Sequence, residues 1–537
     1  MAKNRSFYRI SSAILSFALQ VSVVIGAART AGAASDPGAS LFGFGINQGG
    51  SFFCYPLFYP AILAQGRDGK LYSTATDCDT NRFGAVFNMS TFGTSDFLHY
   101  FDGADGSTSN SGLTLGTDGN FYGTATKGGA DNFGTIFRVT SSGSLTTLHS
   151  FTNGADGASP YGPPVEGADG NFYGTTSAGT AYKITSSGTF TSLGAIPGGS
   201  YAPLLLGADG YFYGTTFDGG TGGLGTVFKM PPRGGATIIY SFDNTHGANP
   251  FAAVIQANDG NFYGTASAGG ALKGGVVFKL TPRGAISVLH NFDPDNLLDG
   301  YGPTAALVQA TDGNFYGAAA EGGPGDGILF EVTSSGSYSF VSYFGTSQID
   351  PQSSLMQHTN GQIYGMLPGG AVYGLDVGLA PFIKTLPITG RVGKALGILG
   401  EGFTGATSVK FNGTTASFTV VSDTYISTSV PAGVTTGFVT VASPAGALKS
   451  NLKFRVTPQI LSFLPTSGPT GTSVVITGDS FLGATEVTFP CGKKATFTVD
   501  SDTQITATVP VGAMTGEIGV YTPGGNVGSS TVFTVTP

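Results

Sequence analysis

Five histidines are the residues of this sequence best suited to acid–base chemistry. His99, His149 and His290 stand at the same place in three repeats of a longer unit. Proton transfer does not need one residue per repeat, so this regularity predicts packing or turn-bonding roles rather than catalysis. His246 and His358 break the pattern, and the sequence shows no partner for either of them.

A second group of residues that could do chemistry consists of aspartates in the segments that join the end of one repeat to the start of the next. They are Asp102, Asp105, Asp156, Asp243, Asp293, Asp295 and Asp299. Carboxylates that converge on one face could bind Ca²⁺ through oxygen ligands, whereas Asp next to Gly is also ordinary turn chemistry. Because Asp293-Pro294-Asp295 lacks the further acid and glycine of a calcium loop, we assign no metal or cofactor and keep Ca²⁺ as the alternative.

Three tyrosines in the same segments, Tyr161, Tyr201 and Tyr301, could stack on sugar rings, although packing at a rim explains them equally. We expect these tyrosines, the aspartates and His246 to line a ligand-binding face. The sequence has no nucleophile elbow, phosphate-binding loop, His-Glu-x-x-His motif or zinc-spaced cysteines, so we assign no catalytic residue.

A unit that recurs seven times must position these residues, and Asp169-Gly170-Asn171-Phe172-Tyr173-Gly174 is its clearest copy. The copies begin at Asp68, Asp118, Asp169, Asp209, Asp259, Asp312 and Asn360. Similarity at a spacing of 40 to 53 residues indicates a propeller or a solenoid.

Each repeat divides into four strand-like runs, A to D, and the fifth repeat has them at 252–256, 261–266, 276–280 and 286–292. Asp259-Gly260 is expected to close A onto B as a two-residue hairpin. Seven such antiparallel sheets, stacked radially over residues 40–380, predict a seven-bladed β-propeller. The seventh repeat lacks a D strand, and we predict that residues 41–44 supply it by pairing with the C strand at 371–377.

This connectivity also sorts the loops between two faces. The A–B and C–D turns are short and share one face, whereas the B–C and D–A loops are longer and share the other, where binding residues are expected. The repeat between Asp169 and Asp209 has trimmed loops at 177–180 and 197–201, which predicts a gap in that rim.

From about Pro381 a different unit appears twice, shifted by 78 or 79 residues. Phe403-Thr404-Gly405-Ala406-Thr407 recurs as Phe481-Leu482-Gly483-Ala484-Thr485, and several short alternating strands fill each copy. Fewer than 80 residues with this pattern suit a small immunoglobulin-like sandwich. We predict two such domains, 381–457 and 458–537.

The N-terminus reads as a secretory signal peptide over residues 1–33, with basic residues, an apolar run and a small-residue end at Ala31-Gly32-Ala33. An uncleaved membrane anchor is the alternative, and the mature chain contains no other span. Cleavage would remove four basic residues and change the net charge from −8 to −12, which argues against a nucleic-acid partner.

Export also permits a disulfide, and we predict one between Cys54 and Cys78. The alternative is that these two cysteines are unrelated small buried residues.

The block over residues 40–380 resembles the bacterial GloVer tandem-repeat family. Its hallmark stands here as Asp118 to Ala125, Gly128-Gly129, Gly134 to Arg138 and Leu148 to Phe151. The C-terminal block resembles two IPT/TIG domains, quoted best by Pro465 to Pro469 and Val474 to Gly478. These resemblances imply export, frequent attachment to the cell surface, and a spacer or interaction role, with no established activity to transfer.

Two functions fit this organisation. The preferred one is a secreted or cell-surface, non-enzymatic protein whose propeller loops bind an extracellular glycan or protein while the immunoglobulin-like domains act as a spacer. The alternative is an extracellular propeller enzyme, a hydrolase or lyase, acting on polysaccharide or peptide. Carboxylates with raised pKa values in a pocket on the loop face would favour the enzyme.

Overall fold

The computed structural model describes residues 40–45, 62–76, 83–323, 327–344, 351–367 and 371–537. Within these ranges every regular element is a β-strand, which confirms the all-β class. No helix of this part of the chain could cross a membrane. The predicted signal peptide (1–33), Cys54 and Cys78 lie outside the described residues.

The described residues between 40 and 376 form seven four-stranded antiparallel sheets, here called blades 1 to 7. The chain begins with β1 (Ser40–Gly45). Blades 1 to 3 contain, in the order A to D, β2 (Ala64–Gln65), β3 (Leu71–Ala75), β4 (Ala85–Met89), β5 (Ser95–Tyr100), β6 (Thr114–Leu115), β7 (Phe121–Ala125), β8 (Thr135–Val139), β9 (Leu145–Ser150), β10 (Val165–Glu166), β11 (Phe172–Thr175), β12 (Thr180–Ile184) and β13 (Phe190–Ala195).

Blades 4 to 7 continue the same order. They contain β14 (Leu205–Leu206), β15 (Phe212–Thr216), β16 (Thr226–Met230), β17 (Thr237–Ser241), β18 (Ile255–Gln256), β19 (Phe262–Ala266), β20 (Val276–Leu280), β21 (Ile286–Asn291), β22 (Val308–Gln309), β23 (Phe315–Ala319), β24 (Ile328–Val332), β25 (Tyr338–Tyr343), β26 (Met356–Gln357), β27 (Ile363–Leu367) and β28 (Ala371–Asp376).

The ring closes as the sequence predicted. Strand β1 pairs antiparallel with β28, with Leu41 opposite Leu375, and so supplies the outer strand of blade 7. Leu71 and Met89 of blade 1 share one hydrophobic core with Tyr364 and Met366 of blade 7. The first and last blades are therefore packed against each other like any other neighbouring pair.

The A strands are shorter than predicted, because their first residues bond to a neighbouring blade instead of to their own B strand. In blade 5 only Ile255–Gln256 is strand, and the Ala252 carbonyl accepts a hydrogen bond from Thr215 Oγ1 of blade 4 at 2.9 Å. Thr265 Oγ1 makes the same bond to the Ala305 carbonyl of blade 6. A buried B-strand threonine thus ties one blade to the next.

The predicted two-residue hairpin at Asp-Gly is wrong. In blade 5, Ala257 N bonds to Asn261 O and Gly260 N bonds to Ala257 O, which makes a three-residue loop with Gly260 at φ 83°. This is a type I turn followed by a glycine in the left-handed conformation, and not the primed turn of a two-residue hairpin. The aspartate is the residue directly before that glycine. There Asp259 can accept hydrogen bonds from Asn261 N and Tyr263 Oη.

The aromatic pair of the repeat forms a ladder around the ring. The tyrosine of one blade stacks on the phenylalanine of the next, with ring centroids 3.7 to 4.2 Å apart, in Tyr72–Phe121, Tyr122–Phe172, Tyr173–Phe212, Tyr213–Phe262 and Tyr263–Phe315. Each of these tyrosines also donates its hydroxyl to the aspartate of its own turn. Burial and that carboxylate raise the pKa of the Tyr122 hydroxyl. The repeated motif therefore fixes both the turn and the spacing of the blades.

We expect Thr124→Val to lower the free energy of unfolding by about 1–3 kcal/mol, because it removes a donor and leaves buried carbonyls unpaired. Thr124 is fully buried, and its Oγ1 lies 3.1 Å from Pro160 O and 3.3 Å from Gly162 O of blade 3. Denaturant titration measures the change. Thr146→Val on the exposed outer strand β9 is the matched control, and equal midpoints for the two variants would contradict the prediction.

Two β-sandwiches follow the propeller, each built around its own hydrophobic core. The first contains β29 (Lys384–Leu386), β30 (Thr389–Gly390), β31 (Ala395–Leu399), β32 (Ser408–Phe411), β33 (Thr414–Ala416), β34 (Phe418–Ser422), β35 (Tyr425–Ser429), β36 (Val439–Ser443), β37 (Gly446–Lys449) and β38 (Arg455–Val456). The second contains β39 (Gln459–Leu464), β40 (Ser467–Gly468), β41 (Ser473–Asp479), β42 (Glu486–Phe489), β43 (Lys493–Lys494), β44 (Thr496–Ser501), β45 (Gln504–Thr508), β46 (Gly516–Thr522) and β47 (Gly525–Val535). Cys491, in the turn after β42, is a free and exposed thiol.

The first sandwich packs on the face of the propeller that carries the A–B turns. Thr424 Oγ1 donates to Arg67 O at 2.7 Å, and the Arg67 guanidinium lies 4.7 Å from the Tyr425 ring centroid. On the other side of the ring, Asn258 Nδ2 donates to Asn451 O at 3.2 Å. The turn face is therefore an internal interface.

Candidate functional site

The D–A and B–C loops lie on the same face, as predicted from the connectivity. In blades 2, 5 and 6 the B–C loop pairs with the preceding D–A loop, through bridges between Ser107 and Lys127, between Ala248 and Ala268, and between Tyr301 and Glu321. We call the surface formed by these loops the loop face. It lies opposite the turn face, which carries the A–B turns and contacts the first sandwich. The predicted ligand-binding residues are therefore at the end of the blades that is farther from the first sandwich.

Most of the predicted aspartates are tied to histidines of their own blade. The Nε2–carboxylate distances are 2.6 Å for His99–Asp105, 3.1 Å for His149–Asp156 and 2.8 Å for His290–Asp299. In blade 4 the histidine is in the loop instead, and His246 Nδ1 lies 2.8 Å from Asp243. His246 thus has a partner that the sequence did not reveal.

The same carboxylates also cap their loops. Asp156 accepts hydrogen bonds from Thr152 N, Thr152 Oγ1 and Gly154 N, which outweigh the effect of burial and lower the pKa of Asp156. The pKa of Asp102 is lowered chiefly by the hydrogen bond from Asp105 N. A carboxyl with a lowered pKa is ionised at neutral pH and makes a poor general acid.

Two of these histidines, His149 and His290, stack on the next blade near the outer edge of the ring. The His149 ring lies 3.9 Å from Phe190 and the His290 ring 3.8 Å from Tyr338, both nearly parallel. Burial lowers the pKa of His149. The predicted packing and turn-bonding roles of the D-strand histidines are confirmed by these contacts.

The remaining acids of the predicted set do not converge on a common point. Asp293 accepts a hydrogen bond from Asp295 N, and its own N–H bonds to Asp299. Asp295 is exposed. Among the described residues no group of three or more His, Cys, Asp or Glu is placed to hold a metal ion. The predicted tyrosine Tyr301 contacts Glu321, whose charge raises the pKa of the Tyr301 hydroxyl.

The other two predicted tyrosines belong to an aromatic cluster on the loop face. Tyr161 meets Tyr201 edge to face at 4.9 Å, and Tyr201 stacks on Phe251 at 5.2 Å with ring planes 7° apart. Phe217, from a B–C loop, stands perpendicular to Tyr201 and Phe251 at 5.8 and 5.9 Å. All four rings are partly exposed. We call Tyr161, Tyr201, Phe217 and Phe251 the aromatic cluster.

The aromatic cluster adjoins blade 3, whose B–C loop is shorter than those of blades 2, 4 and 5. The B–C connection of blade 3 is a tight turn at 176–179, closed by hydrogen bonds from Thr176 N to Thr180 O and from Gly179 N to Thr176 O. In blades 2, 4 and 5 the same connection runs from 126 to 134, from 217 to 225 and from 267 to 275. The short loop predicted from the sequence therefore lies between Tyr161 and Tyr201 along the chain.

A cavity of about 180 Å³ lies away from the loop face, between the two sandwiches. Lys453, Ser480, Asp502 and Thr522 contribute to its lining, and Ser480 Oγ is buried without a hydrogen-bond partner among the described residues. The cavity is smaller than ordinary ligand pockets of about 300–1,000 Å³.

Two family models match the sequence. The Gloeobacter/Verrucomicrobia repeat matches residues 52–201 and 177–376, which together span more than half of the chain. The IPT/TIG domain matches residues 458–535. No curated protein matches the sequence.

Several solved structures resemble parts of the chain. A surface glycan-binding protein of Prevotella bryantii is 20% identical with a TM-score of 0.21, over 27% of this chain and 38% of its own. The extracellular domain of a putative hybrid two-component system of B. thetaiotaomicron is 10% identical with a TM-score of 0.42, over 88% and 66% of the two chains. A fungal alcohol oxidase in complex with copper is 11% identical with a TM-score of 0.41, over 91% and 99%. The match to the Prevotella bryantii protein spans little more than a third of that protein.

Proposed function

The chain belongs to the Gloeobacter/Verrucomicrobia repeat family, and we propose that it is an exported, non-enzymatic binding protein whose loop face holds an extracellular glycan. The single observation that carries this proposal is the aromatic cluster. Partly exposed aromatic rings offer flat apolar surfaces to the C–H face of a sugar while their edges or hydroxyls remain in water.

The state of the loop acids supports binding over hydrolysis. Asp102, Asp156 and Asp243 have lowered pKa values, and each accepts hydrogen bonds within its own loop. A glycoside hydrolase needs a carboxyl that stays protonated near neutral pH, together with a second one about 5–10 Å away. Asp102, Asp156 and Asp243 instead hold the backbone of their own loops through these hydrogen bonds.

The position of the C-terminal sandwiches supports their role as a spacer. The first sandwich contacts the turn face through Thr424, Tyr425 and Asn451, so the aromatic cluster is at the opposite end of the blades. Export depends on the predicted signal peptide, which fits a chain whose partner is outside the cell.

We expect Tyr201→Ala to weaken glycan binding by about 30-fold or more, because truncating a central aromatic contact typically costs about 2 kcal/mol or more. The purified protein is screened on a glycan array, and the affinity for the strongest hit is measured by calorimetry. Phe92→Ala is the control, because Phe92 is 88% exposed in a C–D turn on the opposite face. Binding of a protein ligand but of no glycan on the array would replace the glycan in this proposal, and equal affinities of the two variants would remove the aromatic cluster from it.

A further inference from the structure

We propose that the aromatic cluster is one arc of a larger saccharide subsite around the propeller axis, with Asn110 and Thr304 as hydrogen-bonding groups at the two ends of the arc. The proposal rests on the proposed glycan binding and names the groups that would read the sugar hydroxyls. It also restricts the ligand to neutral sugar units.

Five residues occupy one structural position in consecutive blades. In each of blades 2 to 6 the residue five places after the phenylalanine that begins the B strand donates its N–H to a carbonyl of the D–A loop, in the pairs Thr126–Thr108, Ser177–Ser159, Phe217–Gly199, Ser267–Asn249 and Ala320–Gly302. The residue two places after each acceptor is Asn110, Tyr161, Tyr201, Phe251 or Thr304. The backbone therefore brings these five side chains into register.

This position lies close to the axis of the propeller. Each of the five residues stands just before an A strand, which is the innermost strand because the D strands and β1 form the outer edge. Neighbouring segments touch one another: a Cβ added to Gly162 would lie 2.4 Å from Pro203 N, and one added to Gly112 would lie 2.1 Å from Ile62 O. The ring contacts of Tyr201 with Tyr161 and with Phe251 agree with a side-by-side arrangement.

The two ends of the arc carry polar atoms without partners. Asn110 Oδ1 and Thr304 Oγ1 are buried, and neither has a hydrogen bond among the described residues. Ser109 Oγ and Ser111 Oγ both donate to Thr124 O of blade 2, so the two neighbours of Asn110 are anchored to the B strand. Asn110 is only 5% exposed.

A buried acceptor without a donor costs about 1–3 kcal/mol, so this site favours a ligand that brings hydroxyl donors. Three aromatic side chains, an amide and a hydroxyl form the arc, and none of the five is charged. Such a set suits the apolar face and the equatorial hydroxyls of a neutral hexose. It offers no cation for a uronate or a sulfated sugar.

The test uses neutral glucan, mannan and galactan hexasaccharides, with polygalacturonate fragments as the anionic counterpart. We expect at least one neutral series to bind, and Asn110→Leu and Thr304→Val each to weaken that binding by about 3- to 10-fold through loss of one hydrogen bond. Thr146→Val on the exposed strand β9 is the isosteric control for Thr304→Val and should bind like the wild type.

The possible results separate this inference from the proposed function. Loss of binding in Tyr201→Ala with wild-type affinity in Asn110→Leu and Thr304→Val would overturn the polar arc and leave glycan binding in place. Tighter binding of polygalacturonate than of any neutral series would overturn the restriction to neutral sugars. Absence of binding to every probe would overturn both. Thermal unfolding of the free protein adds a ligand-independent readout: Asn110→Leu should not lower the melting temperature, and a clear fall would show that the amide serves the fold.

Discussion

Phe172→Ala is expected to lower the free energy of unfolding by about 3–5 kcal/mol, the usual cost of removing a buried phenylalanine. Phe172 is 2% exposed, and its ring lies 3.7 Å from that of Tyr122 in the preceding blade. It also belongs to a core with Tyr182 and Ile184 of its own blade. Truncation removes the wedge between blades 2 and 3 and leaves a cavity that both blades line.

The measurement is equilibrium unfolding in denaturant, followed by tyrosine fluorescence and by far-ultraviolet circular dichroism. Phe92→Ala serves again as the control, since a surface substitution should stay within about 0.5 kcal/mol of the wild type. A change of less than about 1 kcal/mol for Phe172→Ala would show that the aromatic ladder does not hold the blades together. The two spectroscopic transitions should coincide if the ring unfolds as one unit.

His358 is expected to make the protein lose stability as the pH falls from about 6.5 to 4, and His358→Gln is expected to remove most of that loss. The side chain is fully buried where blades 7 and 1 meet the first sandwich. Its Nε2 lies 3.0 Å from Gly69 O, and Nδ1 accepts a hydrogen bond from Asn360 N at 3.2 Å. Both ring nitrogens are thus satisfied by the neutral imidazole, with the proton on Nε2.

The direction of the pH effect follows from the pKa of this histidine. Burial, with a smaller effect from the Lys384 charge, lowers the pKa of His358 to about 4. The unfolded chain takes up a proton below pH 6.5 while the folded chain does not, so acid favours unfolding by up to about 3 kcal/mol at 1.36 kcal/mol per pKa unit. Above pH 6.5 both states are neutral and the contribution is constant.

Other titrating groups near His358 require a difference measurement. Glu401 Oε1 lies 3.5 Å from Nδ1, and burial raises the pKa of Glu401, which gives a pH effect of opposite sign. The unfolding free energy of His358→Gln minus that of the wild type isolates the histidine. His246→Gln, at an exposed His–Asp pair, is the control. If His358→Gln keeps the wild-type loss between pH 6.5 and 4, the buried neutral histidine is not its cause.

The sequence by itself determined the architecture. Repetition of one turn-and-aromatic unit requires equal blades, since an aromatic pair such as Phe172 and Tyr173 can be buried on both faces of a sheet only between neighbours. The missing last strand and the spare segment at 41–44 then predicted the closure that β1 and β28 make. The turn type was misjudged because Asp-Gly is compatible with two hairpins, and only the hydrogen bonds of Tyr263 and Asn261 to Asp259 select one of them.

The candidate site was only half visible in the sequence. Tyr161 and Tyr201 could be named because they lie in predicted D–A loops and tyrosine can stack on a sugar ring. Phe217 and Phe251 look like ordinary core residues until their ring contacts are known. The polar end at Asn110 has no sequence signal at all, since its position becomes clear only from the backbone bonds of the D–A loop.

Only the tertiary structure decided which of the predicted groups are free to act. Asp105 and Asp156 lie six and seven residues after the histidines that they bind, in loops whose lengths differ, so no fixed spacing could reveal the pairs. These carboxylates are engaged in hydrogen bonds because leaving a partly buried charge unpaired is costly. The sequence repeat thus determines the number and strand content of the blades, because these depend on local spacing. The roles of the loop side chains depend on contacts between loops, which exist only in the folded ring.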